Sequence, residues 1–241
     1  MPGLEDPRTL LAAWERAAAV PPAARGSALL PGADRRLAAV AARAAAAYAR
    51  TFGPTAQALV DCTACGETLE LTVDVGAMAS AAPPQEATTV ARASGDLRVR
   101  ALTVDDLLAG AAAAGSGDVT DGAAFTDDAA AVLLARTTSD RGGGAVEPGL
   151  LAAADLEAVD GAARELAGVA AATVVTVCPA CGSDVREPVD VVALLWERVS
   201  SRAAALLGEV ATLARAYGWT EPEVLDLSDV RRAAYLAMVL S

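Results

Sequence analysis

TVVTVCPACGSDV, residues 173–185, runs as a β-branched segment into a Cys-x-x-Cys-Gly turn and leaves it as a second alternating segment. Its counterpart is DCTACGETLELTV, residues 61–73, where Cys62 and Cys65 stand to Gly66 as Cys178 and Cys181 stand to Gly182. A Cys-x-x-Cys-Gly turn between two strands points both sulfurs at one spot. Glycine at the next position takes the left-handed conformation that aims backbone N–H groups at the thiolates. Each turn supplies two ligands, and the sequence contains no histidine to complete either. A structural zinc site takes four protein ligands. The pattern therefore predicts one structural Zn2+ per chain, held by Cys62, Cys65, Cys178 and Cys181 in a split zinc ribbon. The 112 residues between Cys65 and Cys178 would hang from that base as an insertion.

Other uses of the four thiols fit less well. A thioredoxin-like Cys-x-x-Cys opens a helix after a buried strand, whereas both motifs here continue as strand-like alternation. Disulfides need an oxidising compartment. The N-terminus MPGLEDPRTLL has no basic segment leading into an apolar one, so it does not read as a secretory signal. Four unrelated core cysteines would not produce the same motif twice.

Outward from the cysteines, the expected architecture is mainly α with a small β component. Residues 1–56 read as an N-terminal helical region: Leu10, Leu11, Trp14 and Ala18 share one face, Pro21-Pro22 stops that helix, and a second spans about Asp34 to Arg50. Residues 57–79 form the first knuckle, with Leu69, Leu71, Val73 and Val75 on one side of a strand. Residues 80–171 read as a helical insertion. In it Thr103 caps a short helix with Asp106 three residues on, Thr126 begins another, and TTSDRGGGAVEPG is a loop. That loop lacks the Lys-Ser/Thr of a phosphate-binding P-loop. The Asp pairs 105–106 and 127–128 suit the first turns of helices. Residues 172–190 form the second knuckle.

The strongest periodicity lies in 191–241. Val192, Trp196, Val199, Ala203, Leu206, Val210, Leu213 and Tyr217 recur at alternating steps of four and three, one seam of a long helix ended by Gly218. Thr220 and Glu223 form a capping box, and Ser228 caps a last helix. Two short helices after a long one resemble a helix-turn-helix, but Arg231 and Arg232 are surrounded by Glu221, Glu223, Asp226 and Asp229, which disfavours DNA. Trp219, Tyr217 and Tyr235 read first as core packing. A partner-binding surface of Trp219, Arg231, Arg232 and Tyr235 is the alternative.

Composition narrows the function further. All 19 basic residues are arginine, the formal charge is −12, and 54 % of residues are hydrophobic but only 3 % aromatic. The acidic balance argues against general nucleic-acid binding, which needs a basic surface. The apolar Ala runs are too short or too interrupted for a transmembrane span of about 20 residues, and the expected location is the cytoplasm. Without histidine, the common nucleophile–base pairs are missing. No small-molecule substrate or enzymatic activity is expected.

The C-terminal third resembles a known family. The Cys-Pro-x-Cys-Gly knuckle, PVDVVALLWERV (188–199) and LARAYGWTEPEVLDLS (213–228) running into RRAAYL (231–236) look like the C-terminal region of phage baseplate proteins. That family occurs in prophages and in phage-tail-like contractile injection systems, and is related to baseplate hub assembly chaperones. The Trp14 helix, LVDCTACGETLELTVDV (59–75) and ALTVDDLLA (101–109) resemble it more loosely. The resemblance implies a non-enzymatic role in building a baseplate or hub, as a chaperone or a permanent subunit, with hub or tail-tube proteins as partners. Only the four cysteines transfer as a site. The competing classes are a zinc-ribbon regulator that binds nucleic acid or another protein, and a thiol redox protein.

Overall fold

The computed structural model describes residues 3–81, 85–114 and 127–240. Three helices open the chain: α1 (Pro7–Ala18), α2 (Pro22–Leu29) and α3 (Leu37–Phe52). Asp6 caps α1, accepting from the backbone N–H of Thr9 at 2.8 Å and from its hydroxyl at 2.7 Å. Leu10, Leu11, Ala13 and Ala17 are its buried positions, so Ala18 lies off the face that the spacing had given it. Pro22 does more than stop α1. It occupies the first turn of α2, where the missing N–H costs nothing and the fixed φ suits a helix.

The first knuckle is the hairpin β1 (Thr55–Asp61) and β2 (Thr68–Asp74), followed by the short α4 (Val75–Ala79). Val75, expected at the strand's end, is instead the first residue of α4, because Asp74 caps it by accepting from the Ala77 N–H.

The insertion is not purely helical, which corrects the expectation for residues 80–171. It contains a three-stranded antiparallel sheet of β3 (Ala87–Val90), β4 (Leu97–Arg100) and β5 (Thr138–Asp140), with β4 in the centre. Three helices accompany it: α5 (Val104–Ala113), α6 (Asp127–Thr137) and α7 (Ala153–Ala167). Strands of three or four residues carry too little alternation to stand out in a helical background. Only Leu97 and Val99 facing in, with Arg98 and Arg100 facing out, mark the sheet. The start of the expected 137–149 loop is strand β5, and Asp140 at its end accepts from the N–H groups of Gly142 and Gly144. The helix start at Thr126 and the whole of residues 115–122, rich in Gly and Asp, lie outside the described residues.

The insertion has its own apolar core of Val90, Leu97, Val99, Leu151, Val159 and Leu166. It is fastened to the segment before α3. Leu37 N–H donates to the Leu102 carbonyl at 2.9 Å, Val104 N–H donates to the Arg35 carbonyl at 3.0 Å, and Arg35 pairs with Asp105 at 2.7 Å. Asp106 sits at the centre of this module, fully buried. Its carboxylate accepts from Arg100 at 2.7 and 2.9 Å, from Arg136 at 2.8 Å, and from the Thr103 N–H and hydroxyl at 2.9 and 2.8 Å. One side chain thus closes the cap of α5 and ties β4 to the end of α6.

The second knuckle is β6 (Thr173–Val177) and β7 (Asp184–Pro188), and α8 (Val191–Tyr217) follows at once, capped by Asp190. Its 27 residues span about 40 Å. Val199, Ala203, Leu206, Val210 and Leu213 are buried as the seam requires, but at the N-terminal end the buried residues are Val191 and Leu195. Val192 and Trp196, one position on, are only partly covered. The main core packs this face against α1 and α3. Leu206 is 1 % exposed. Leu206→Ala should lower stability by about 2–5 kcal/mol, seen as a lower denaturation midpoint with little change in the slope of the transition.

Gly218 ends α8 in the left-handed conformation, and α9 (Glu221–Leu225) and α10 (Asp229–Leu240) turn back on it. The Thr220–Glu223 capping box forms, with Glu223 accepting from the Thr220 N–H at 2.8 Å. Among the described residues, no helix is long and apolar enough to cross a membrane.

Candidate metal centre

The two knuckles are copies in register as well as in motif. Asp61 pairs with Thr68, and Val177 pairs with Asp184, so each hairpin places its ladder identically relative to its first cysteine. Within each turn the glycine N–H donates to the carbonyl of that first cysteine, Gly66 to Cys62 at 2.7 Å and Gly182 to Cys178 at 2.8 Å. Both glycines have positive φ, 78° and 74°. A Cβ at either would meet nothing within 4 Å, so glycine is required for its backbone freedom rather than for room.

Side by side, the turns bring the four sulfurs together. Cys62 Sγ lies 3.8 Å from Cys181 Sγ, and Cys65 Sγ lies 3.7 Å from Cys178 Sγ. All four are within 4.8 Å of one another. A disulfide needs about 2.05 Å, and all four cysteines are free. A tetrahedron of metal–sulfur bonds of about 2.3 Å has edges of about 3.8 Å. The cluster therefore has the size of a tetrahedral thiolate site and could hold a metal ion.

The pairing follows a pseudo-twofold relation. The first cysteine of each motif is buried, Cys62 at 2 % and Cys178 at 1 % exposure, while Cys65 and Cys181 reach solvent. Beneath the sulfurs, Leu69 and Val185 pack with Cys62 and Cys178 in a small apolar cluster of their own. Each of these residues stands seven positions after the first cysteine of its motif, so the repeat extends into the packing.

The residue after each glycine serves the site, a feature the motif alone did not reveal. Ser183 donates to Cys181 through its hydroxyl and its backbone N–H, and holds that thiol down at about 6. The Glu67 N–H does the same for Cys65, but the crowding sulfurs of Cys181, Cys178 and Cys62, with burial, override it and push Cys65 up to about 12. Four thiols this close cannot all ionise without a cation among them. Metal uptake at neutral pH should therefore release protons, and apparent affinity should fall as the solution is acidified. A pH-stat titration with metal and competitive chelator titrations from pH 8 to pH 5 check both.

Comparison with family models, with curated proteins and with solved structures returns no match.

The residues considered for partner binding fall into two groups. Tyr217, Trp219 and Tyr235 form one aromatic cluster, with Trp219 stacked on Tyr217 at 4.8 Å and edge-on to Tyr235 at 4.9 Å. Trp219 and Tyr235 pack partly into the main core. Arg231 is exposed. Arg232 is only 1 % exposed: it donates to Glu209 at 2.6 Å, to the Leu227 carbonyl at 3.2 Å and to Asp229. It locks α10 to α8 and offers nothing to a partner, which corrects its grouping with surface residues. Sequence proximity to Arg231 hid this, because the burial of an arginine depends on a carboxylate 23 positions away.

Proposed function

We propose that this chain is a non-enzymatic assembly or structural protein of the baseplate or hub of a contractile phage tail or contractile injection system, working in the cytoplasm and stabilised by one structural Zn2+ in a split zinc ribbon. The observation that carries the proposal is the closed four-sulfur set. It joins two hairpins from opposite ends of an insertion and leaves no ligand position open for substrate. Zinc suits it better than hard cations, which prefer oxygen donors, because thiolates are soft ligands. The metal then braces the start of α8, and function falls to the surfaces that the helices present. The likeness of residues 174–239 to phage baseplate proteins supplies the assembly context.

Elemental analysis of purified protein tests the metal: close to one equivalent of zinc supports it, and less than about half an equivalent overturns it. Co-purification with hub and tube proteins, in a host carrying the complete cluster, tests the role. Contact with none of them would sink it. Filter binding across a salt series should find no affinity for nucleic acid, given the −12 charge.

A further inference from the structure

A groove of about 900 Å3 runs between α1 and α3, with Leu4, Leu29, Leu30 and Pro31 also lining it. Both helices pack on α8 rather than on each other, which leaves a slot where a bundle would place another helix. Its floor is apolar, with Ala13 and Ala47 each 1 % exposed. Its polar wall is cationic: Arg16, Arg43 and Arg50 line it, and no carboxylate does. That is a local reversal of sign in a chain of formal charge −12.

Two of the three arginines are fixed by backbone carbonyls. Arg16 Nε donates to the Ala28 carbonyl at 3.2 Å, and Arg43 donates to the Asp34 carbonyl at 2.8 Å. The Arg43 Nε is buried and has no hydrogen-bond partner, so a donor has been desolvated without compensation. Arg43 and Arg50 stand seven residues apart on α3, about 10 Å along one helix face.

We infer that this groove is the docking site of an acidic amphipathic helix from another protein. Its small apolar face would lie on the alanine floor, and carboxylates two turns apart would meet Arg43 and Arg50, with Arg16 opposite. Helix-in-groove recognition uses this combination of apolar anchors and flanking charge. A membrane surface is flat and would touch the arginine rim without filling the floor. The inference stands on the groove alone and holds whether or not the baseplate reading does.

The test uses the full chain and a fluorescein-labelled helical peptide of about 18 residues, with an Ala/Leu face flanked by glutamates. A matched peptide carries glutamine in their place. Fluorescence anisotropy should show saturable binding of the acidic peptide that weakens with salt. Binding should be at least about tenfold weaker for the glutamine peptide and for Arg16→Glu/Arg50→Glu. Both arginines are exposed, and the double exchange removes only the Arg16 hydrogen bond to α2; Arg50→Glu alone, measured beside it, keeps that bond and should weaken binding in the same direction. No saturation by about 1 mM, equal affinity for the two peptides, or unchanged binding by the variants would overturn the inference. So would a concentration-dependent dimer that the double variant abolishes, since a second copy would then occupy the groove.

Discussion

Cys62→Ser should lose stoichiometric metal and with it a substantial part of the stability of the fold. The thiol is 2 % exposed and lies 3.8 Å from Cys181, and serine is both shorter and a poor soft-metal ligand. In the smallest metal-folded domains a structural zinc supplies about 10–16 kcal/mol, as much as the whole net stability of a typical protein, about 5–15 kcal/mol. This chain has further cores, so the loss should be partial: a fall of at least about 10 °C in thermal midpoint, given 2–4 °C per kcal/mol at this size. The native protein in excess chelator should fall to about the same midpoint, and the variant should be insensitive to chelator. Calorimetry with and without chelator, beside elemental analysis, checks all of this. A Cys62→Ser chain that keeps both its metal and its midpoint would show that the four sulfurs do not act as one site.

Asp106→Asn should be among the most damaging single changes outside the cysteines. The carboxylate is completely buried, and five hydrogen bonds from Arg100, Arg136 and Thr103 converge on it. Burial alone would push the carboxyl up, but the donors from Arg100, Thr103 and Arg136 more than reverse this and hold it well below the usual carboxylate range. Asparagine keeps one acceptor oxygen and turns an N–H2 group toward cations, so a buried pair is broken and the cap of α5 weakened. Because Arg100 and Arg136 can still reach water, the cost should sit at the lower end for such pairs, about 3 kcal/mol.

The pH dependence follows from the direction of the shift. A carboxyl depressed in the folded state contributes fully above its unfolded value, near pH 4, and loses that contribution as pH falls toward the folded value. The gap between native protein and Asp106→Asn should therefore be constant from pH 7 to about pH 5 and narrow below about pH 4. Urea midpoints at neutral and acid pH measure it. Hydrogen exchange should place the loosening in β4, α5 and the end of α6. An unchanged gap at low pH would mean that the charge is not what Asp106 contributes.

Where sequence and structure agree, the signal was local or repeated. The middle of the α8 seam from Val199 to Leu213, the Gly218 stop and the caps at Thr103 and Thr220 depend on residues within a turn or two of one another, and backbone geometry enforces them wherever they occur. The two knuckles were legible because the same five-residue pattern with its flanking alternation occurs twice. The disagreements have one cause. Val191 and Leu195, not Val192 and Trp196, face the core at the start of α8, because the helix starts directly behind the β6–β7 hairpin, which sets the rotation of its first turn. Strand β5 satisfies its hydrogen bonds through a neighbour distant in sequence, up to 43 positions for Leu97 and Asp140, β3 and β4 pair only as a four-residue hairpin, and three or four residues hold no period of their own.

By itself, then, the sequence determined which cysteines belong together, where α5 and α9 begin and α8 ends, and that the insertion hangs between two halves of one cysteine cluster. Spacing and capping are properties of a few consecutive residues, and these were enough. Only the tertiary structure decided which cysteine of each pair is buried, that Arg232 is an internal ion pair while Arg231 is free to face solvent, that Asp106 anchors the insertion, and that Arg16, Arg43 and Arg50 rim a single groove. Burial and charge pairing depend on what the rest of the chain brings within a few ångströms, and no local pattern carries that information.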